Sequence, residues 1–352
     1  MNMSNNKRHQ AKINPLTADS EDIFSLNMHA QGPGELAEGE WQAAGLAAPD
    51  MTAIREYRLN RVRAQLKASD CAGILLYDPL NIRYVTDSTN MSLWTSHNAT
   101  RYALVMTEGP VIIFEFDAHE FLSNHNPLIT EVRPAITYLY FTAAEFSDKK
   151  VKLWAAEISS IVDEFGAGNK RLALDHCAPE GVHELQARGL KLYNGEEVME
   201  LARVIKSDEE MHAMRRSIFA TEMSMSVMRE HFQPGVSETR LWSYLHAEML
   251  SRGGEWIETR LLAAGPRANP WYQECSSRPI QNGELMSFDT DLVGAYGYCT
   301  DISRSWLCGD QKPTDAQKDI YSKAYEQVQH NISILRPGMS FMDMTNEALE
   351  YP

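Results

Sequence analysis

Hydrophobic positions in residues 51–195 alternate between helical and strand periodicity. The run "MTAIREYRLNRVRAQLKASD" carries apolar side chains at helical spacing, and "VKLWAAEISSIVDEFGAG" repeats that pattern before a glycine stop. The compact apolar runs "CAGILLYD", "RYALVMTEGPVIIFEF" and "RLALDH" predict strands, with a Glu-Gly-Pro turn inside the second. The alternation predicts an α/β domain with a mixed sheet. Residues 1–50, which are polar and rich in Ala, Gly and Glu, predict an extended arm before it.

Residues 196–352 begin with two predicted helices. Ser207 and Glu210 have the spacing of a capping box at the start of a helix over 208–232. Ser237 starts the second helix, which a Gly-Gly pair ends. We expect an apolar stripe of the first helix to face the core: Met211, Met214, Ile218 and Met225.

Strand patterns follow these two helices. "WIETRLLAAG", "ELMSFDTDLV" and "YGYCTDISRSWL" predict strands, and a further helix is predicted from about Asp315 to Leu335. Two helices, antiparallel strands and a helix predict an α+β domain over 196–352. The expected organisation is therefore an arm (1–50), an α/β domain (51–195) and an α+β domain (196–352).

Composition excludes some classes of function. The chain has 352 residues and a formal net charge of −15, which argues against a nucleic-acid partner because phosphate binding needs clustered Lys and Arg. Five widely spaced cysteines without a CxxC pair are typical of a reducing compartment. The N-terminus lacks the apolar segment of a signal peptide, and no run has the length of a membrane helix. We expect a cytoplasmic protein without a membrane partner.

Three aspartates lie on the two apolar strands that "GAYG" joins. Asp289 and Asp291 share a face because successive strand residues alternate. Their separations from Asp301 are both even, so Asp301 joins that face only if the connection has an odd number of residues or the ladder carries a bulge. Gly294 and Gly297 permit either device by adopting positive φ.

In that register, three carboxylates meet on one face, which is tenable at neutral pH around metal ions. Carboxylate oxygens suit hard or borderline divalent ions such as iron, manganese or zinc. A carboxylate that bridges two ions places them about 3.5–4 Å apart. The open alternative is a row of solvated acids on an exposed strand face.

Four sequence motifs occur in an order that resembles the creatinase, prolidase and aminopeptidase P relatives. They are "ARVIKSDEEMHAMRRS", "QPGVSETRLWSYLHAEMLSRGGE", "AAGPRANP" and "SSRPIQNGELMSFDTDLVGAYGYCTDISRSW". The resemblance extends over roughly residues 53–352 and implies an N-terminal α/β domain followed by an α+β catalytic domain with the creatinase-like pita-bread fold. Within the superfamily, "FDTDLVGAYGYCTD" and "NPWYQECSSRP" are most similar to the dimethylsulfoniopropionate lyase branch.

Two departures from the peptidases favour that branch. The peptidases place the first of their two hairpin aspartates where this chain has Thr290, between Asp289 and Asp291. They also carry a His shortly after the Gly-x-x-Asn turn, whereas Asn269 is followed here by Pro-Trp-Tyr-Gln-Glu. The resemblance therefore implies a metal site that is kept and a peptide-contacting residue that is lost.

By the same resemblance, Asp289, Asp291 and Asp301 are ligands of two divalent ions, with iron favoured over zinc or manganese. The family completes this site with one His and two Glu from later strands, and the lyase branch adds a later Asp as the general base. These positions fall beyond Pro352, so we expect a pita-bread domain truncated at its C-terminus and assign no base.

The implied reaction is a β-elimination that cleaves dimethylsulfoniopropionate to dimethyl sulfide and acrylate. A base removes the proton next to the metal-bound carboxylate, and the sulfonium leaves. Because a sulfonium cation favours aromatic faces, Trp94, Trp271 and Tyr272 are candidate substrate contacts, although each also fits a core or interface aromatic. Relatives form homodimers, so we expect one here. The alternatives are an Xaa-Pro metallopeptidase, which does not explain Asp291, and a truncated non-catalytic relative.

Overall fold

The computed structural model describes residues 33–123 and 126–351, which form two compact units. The first unit runs to Ser217 and includes Ala295–Tyr298, and the second comprises Ile218–Gly294 and the residues from Cys299 onward. The predicted domain boundary after residue 195 lies within the first unit and stays a prediction. Within the described residues, no helix is long and apolar enough to cross a membrane.

The first unit contains a six-stranded sheet and the helices around it. Its helices are α1 (Gly34–Ala43), α2 (Met51–Ala68), α3 (Pro79–Thr86), α4 (Ser92–His97), α5 (Tyr140–Ala143), α6 (Ser147–Phe165), α7 (Pro179–Ala187) and α8 (Gly195–Arg203). Its strands are β1 (Gly73–Leu76), β2 (Tyr102–Met106), β3 (Val111–Glu115), β4 (Glu131–Pro134), β5 (Arg171–Leu174) and β6 (Lys191–Asn194). The division between the units falls within α9 (Asp208–Glu230).

The strand order β4-β3-β2-β1-β5-β6 is the predicted mixed sheet. The pairs β1–β2 and β2–β3 are antiparallel, and the pairs β3–β4, β1–β5 and β5–β6 are parallel. Because strand residues alternate faces, Leu75 and Phe114 enter the core with α6 and α7, and Ile74 and Ile113 enter the core with α2 and α8. The α/β prediction for this part of the chain is confirmed.

Part of the predicted extended arm is instead helix α1. Its sequence "GELAEGEWQA" is rich in good helix formers, and Trp41 is fully buried. The Trp41 indole N–H donates to the Arg216 carbonyl at 3.0 Å, and the Arg216 guanidinium lies 4.7 Å from the indole ring centroid. Residues 1–32 of the predicted arm lie outside the described residues.

Helix α2 matches its prediction and buries one charged residue among its apolar ones. Asp50 caps it, and its predicted apolar positions are buried: Ile54, Leu59, Val62 and Leu66. Arg58 is buried beside them and pairs with fully buried Glu210 at 3.2 Å. The Tyr298 hydroxyl also donates to Glu210 at 3.0 Å, so Glu210 receives both donors.

Each of the three predicted strands of the second unit is divided in two. The strands are β7 (Trp256–Ile257), β8 (Leu262–Ala264), β9 (Leu285–Phe288), β10 (Leu292–Val293), β11 (Cys299–Thr300) and β12 (Arg304–Leu307). They form two antiparallel sheets, β11-β10-β7 and β12-β9-β8. The helices are α10 (Glu238–Ser251), α11 (Asp315–Ser333) and α12 (Phe341–Glu347). The α+β prediction is confirmed, but the strands are interrupted.

Helix α9 has the predicted start but not the predicted buried face. The Glu210 N–H donates to the Ser207 hydroxyl at 3.2 Å, and the Ser207 N–H donates to the Glu210 carboxylate at 2.8 Å, which is a capping box. The apolar stripe is wrong in part, because Met211 and Ile218 are 38% and 39% exposed. Small and hydroxylated residues are fully buried instead: Ala213, Ser217, Thr221 and Ser224. Short side chains permit close packing on that face.

Candidate metal centre

The three aspartates lie where the hairpin strands are interrupted. Phe288 pairs with Arg304 before the interruption, and Leu292 pairs with Thr300 after it. Residues 289–291 therefore face 301–303 without a bulge, and Asp291 lies opposite Asp301. Since Val293 pairs with Cys299, the connection has five residues, an odd number. The predicted register is confirmed.

The tight turn in this connection uses one of the two predicted glycines, Gly297, together with Tyr296. Positive φ occurs at Tyr296 (65°) and Gly297 (73°), whereas Gly294 does not have a positive φ. Asp291 itself has a φ of 39°, in the left-handed region that a non-glycine residue seldom occupies. The backbone is thus distorted at a predicted ligand, as functional sites often are.

Thr290 bridges the interrupted strands with its side chain. It is fully buried, and its hydroxyl donates to the Thr300 carbonyl and accepts from the Ile302 N–H, both at 2.9 Å. These two bonds link the two segments across the interruption. Asp289 and Asp291 flank Thr290, and their carboxylates converge with that of Asp301.

The neighbouring segment 258–261 carries a β-bulge against the aspartates. Ile257 pairs with Leu292 and Leu262 pairs with Phe288, so four residues on this side face three on the other. Hydrogen bonds still join the two segments across the bulge. The Asp289 N–H donates to the Leu261 carbonyl and the Glu258 N–H donates to the Asp291 carbonyl, each at 3.0 Å. The Thr259 hydroxyl donates to the Asp291 carboxylate at 2.7 Å.

The three carboxylates converge. Asp289, Asp291 and Asp301 each offer one oxygen, and these oxygens lie within 4.8 Å of one another. Asp289 and Asp291 are half-buried and Asp301 is exposed. A hydrogen bond with Asp289, partial burial and the charges of Asp289 and Asp291 raise the pKa of Asp301 to about 6. Ser303 donates to Asp289 at 3.1 Å.

This donor set fits a divalent cation. The raised pKa of Asp301 reflects its hydrogen bond with Asp289, partial burial and the charges of the two neighbouring carboxylates, and a cation at the centre would offset those charges. Three carboxylates provide the oxygen ligands that hard and borderline divalent metals accept. The residues that would hold such an ion are Asp289, Asp291 and Asp301.

The structure brings two of the three predicted aromatic contacts together. Trp271 and Tyr272 follow the short helical turn Gly265–Arg267, and their ring centroids are 6.5 Å apart. Tyr272 is 80% exposed. Trp94 lies on α4 in the first unit, where its ring is 5.9 Å from that of Phe116. Their roles in substrate binding stay predictions.

A buried carboxylate that was not among the predicted site residues anchors the loop that carries Trp271 and Tyr272. Glu238, in the first turn of α10, is fully buried and accepts from the Ala264 and Ser276 N–H groups, both at 2.9 Å. It also accepts from the Ser276 hydroxyl at 2.7 Å and from the Arg267 guanidinium. Arg267 in turn donates to the Glu274 carbonyl at 2.8 Å. An acidic residue in the first turn of a helix gives no hint of such a role, because it is the ordinary choice there.

Two families account for most of the chain by similarity. The Creatinase/Prolidase N-terminal domain matches residues 58–205, and Metallopeptidase family M24 matches residues 212–352. The first match falls in the α/β part, and the second includes all three aspartates.

Two curated relatives that match about nine-tenths of the chain share one name. The chain is 45% identical over 323 residues to "Dimethylsulfoniopropionate lyase DddP" of Roseovarius nubinhibens, covering 90% of this chain and 72% of that protein. It is 42% identical to the protein of the same name from Roseobacter denitrificans, covering 91% and 73%. Xaa-Pro aminopeptidase of Escherichia coli is 26% identical over 42% of this chain and 33% of its own length.

Solved structures of peptidases share the fold. Xaa-Pro dipeptidase from Bacillus anthracis has a TM-score of 0.66 at 18% identity, covering 83% of this chain and 75% of that one. Prolidase from Pyrococcus horikoshii has a TM-score of 0.64 at 18% identity, covering 82% and 74%. At this identity the likeness concerns the fold and not the reaction.

Proposed function

Because the chain belongs to the dimethylsulfoniopropionate lyase DddP family, with its creatinase/prolidase N-terminal and M24 domains, we propose that it is a metal-dependent carbon–sulfur lyase. Its reaction is the β-elimination of dimethylsulfoniopropionate to dimethyl sulfide and acrylate. The convergence of Asp289, Asp291 and Asp301 carries the proposal, because it is the arrangement that can hold a divalent cation.

The role of these residues is to bind and orient. Divalent ions at the three carboxylates would supply Lewis-acid polarisation of the substrate carboxylate, which makes the adjacent C–H more acidic. Asp289 and Asp291 are held by Ser303, Thr259 and backbone groups, so the carboxylates are arranged before a cation binds. We assign no described residue as the general base.

The proposal includes two ions per subunit, with iron as the native metal and zinc or manganese as the alternatives. The oxygens within 4.8 Å of one another can surround one ion, and the second ion is proposed from membership of Metallopeptidase family M24, because aminopeptidases are among the enzymes with two ions about 3.5–4 Å apart. Carboxylate oxygens alone do not select among these metals.

We further propose that Trp271 and Tyr272 hold the dimethylsulfonium group. Tyr272 is 80% exposed and Trp271 is half-buried, so both can place a ring face against a cation, an attraction of about 0.5–2 kcal/mol. Trp94 is proposed to contact the substrate of the partner subunit in a homodimer. A cytoplasmic location completes the proposal.

An Xaa-Pro metallopeptidase is the second candidate, favoured by the shared fold and the similarity to Xaa-Pro aminopeptidase. The test is an assay of the protein in a form that includes the later His and Glu ligands and the base that the resemblance implies, loaded with Fe²⁺, Mn²⁺ or Zn²⁺, for dimethyl sulfide and for Xaa-Pro hydrolysis. We expect dimethyl sulfide from the wild type and none from Asp301→Asn, with Asp310→Asn as the control substitution. Proline release without dimethyl sulfide would overturn the lyase proposal, and absence of both activities would support a non-catalytic relative.

A further inference from the structure

The β-bulge beside the aspartates points one hydroxyl at one predicted ligand. Four residues, 258–261, face three, 289–291, and this mismatch turns the side chain of Thr259 onto Asp291. Bulges next to functional sites commonly re-aim a side chain in this way. The resulting hydrogen bond, at 2.7 Å, is the short contact expected when a hydroxyl donates to a charged oxygen.

Asp291 needs support because its backbone conformation is unusual. Its φ of 39° lies in the left-handed region, which persists in a non-glycine residue when the surroundings hold it. The segment 258–259 holds it at two points. The Glu258 N–H donates to the Asp291 carbonyl at 3.0 Å, and the Thr259 hydroxyl donates to its carboxylate. Backbone and side chain are thus fixed by adjacent residues.

We propose that Thr259 is a positioning residue for the metal ligand Asp291, an inference that rests on the metal site of the proposed function. Its hydroxyl keeps the Asp291 carboxylate in the orientation that brings one oxygen within 4.8 Å of those of Asp289 and Asp301. One bonded oxygen leaves the second available to a cation. A hydroxyl is also neutral, so it orients the carboxylate and leaves its negative charge available to attract the metal. A Lys or Arg at this position would instead neutralise that charge.

The size of the effect follows from other metal sites. Partners that hydrogen-bond a ligand fix its orientation, and their loss typically costs 10–100-fold in metal affinity. The backbone bond from Glu258 survives substitution of the Thr259 side chain, so the fold of the segment is kept. We therefore expect a loss of affinity without a loss of folding.

The experiment is a calorimetric titration of the full chain with Mn²⁺. Thr259→Val keeps the shape and removes the hydroxyl, Thr259→Ala is a second variant without it, and Thr259→Ser keeps it. Ser287→Ala is the matched control, because Ser287 lies on β9 and its hydroxyl bonds Ser305 and no aspartate. We expect the Kd to rise about 10–100-fold in the Val and Ala variants and to stay within about threefold in the other two. The metal-free melting temperatures should match that of the wild type.

Each of the other results of this titration would contradict a specific part of the proposal. If the wild type binds Mn²⁺ and the Val and Ala variants bind it equally well, Thr259 has no positioning role and the proposed function stands. If Thr259→Ser loses as much affinity as Thr259→Val, the hydroxyl is not the cause. If the wild type itself binds no Mn²⁺, the metal site and this inference both fail.

Discussion

Substituting Gln for Glu238 should loosen the loop that carries Trp271 and Tyr272. The Glu238 carboxylate is fully buried and ties together the end of β8, the Arg267 side chain and Ser276. Gln has the same shape but one oxygen fewer. One carboxylate oxygen accepts from the Ala264 N–H and the other accepts from Ser276 and Arg267. Whichever oxygen the Gln amide group replaces, its N–H₂ would face a donor instead of an acceptor.

The cost can be estimated from these contacts. Removing one partner of a buried ion pair costs about 3–5 kcal/mol, because the other charge stays buried and unpaired. The Arg267 side chain is 25% exposed and can recover some hydration, so the lower figure applies. A loss of about 3 kcal/mol is roughly a 100-fold change in the unfolding equilibrium of this region.

Urea denaturation and amide hydrogen exchange measure this loss. The unfolding midpoint should fall with an unchanged slope, and exchange of the Ala264 and Ser276 amides should accelerate most, because both donate to Glu238. Glu274→Gln is the matched control in the same loop. Its ion pair with Arg260 has partners that are 57% and 54% exposed, so it should cost under about 1 kcal/mol. If Glu238→Gln and Glu274→Gln cost the same within about 0.5 kcal/mol, burial does not set the strength of these pairs and the reasoning is wrong.

Three further predictions concern other residues. Glu210→Gln leaves the Arg58 guanidinium buried without its charge partner and should cost about 3–5 kcal/mol in urea denaturation; a cost below about 1 kcal/mol would contradict this account. The hydrogen bond from Arg278 lowers the pKa of Glu284 in the folded protein. The ionised Glu284 carboxylate therefore stabilises the fold above its unfolded pKa of about 4.3, and this stabilisation is lost as the pH falls through the lower, folded pKa. Glu284→Gln should therefore flatten the decline in stability below about pH 4.3, and an unchanged pH profile would exclude this pair as its source. Trp271→Ala should raise the KM for dimethylsulfoniopropionate about 3–10-fold with little change in kcat, whereas an unchanged KM would remove Trp271 from the substrate site.

Regular elements of the fold follow from local patterns. The apolar spacing in "MTAIREYRLNRVRAQLKASD" predicts α2, and Ser207 with Glu210 predicts the start of α9, because both signals act within a few residues. The buried face of α9 is different. Ser217, Thr221 and Ser224 face inward because short side chains fit there, and that depends on neighbours distant in sequence.

The sequence predicts which aspartates form the candidate site and the register that brings them together. It does not predict the strand interruption or the hydrogen bonds that hold these aspartates. Alternation along "FDTDLVGAYGYCTD" and an odd connection place the three aspartates together. The interruption of the strands gives only a weak local signal, since Asp is depleted in strands but Thr290 and the flanking apolar residues favour them. The bulge that turns Thr259 onto Asp291 arises from two ladders that differ by one residue, which is a property of three-dimensional pairing.

The interruption itself has a physical reason. Like charges directly opposite in a regular ladder destabilise it, and Asp291 lies opposite Asp301. A continuous sheet would fix these carboxylates at a set spacing and provide no means to tilt them toward a shared ion. Breaking both strands for three residues lets Thr290 keep the strands joined through its hydroxyl while Asp291 adopts its left-handed conformation. The fold therefore departs from regular β-structure at the point where the chemistry needs convergent charge, and a bound cation would offset the repulsion that remains.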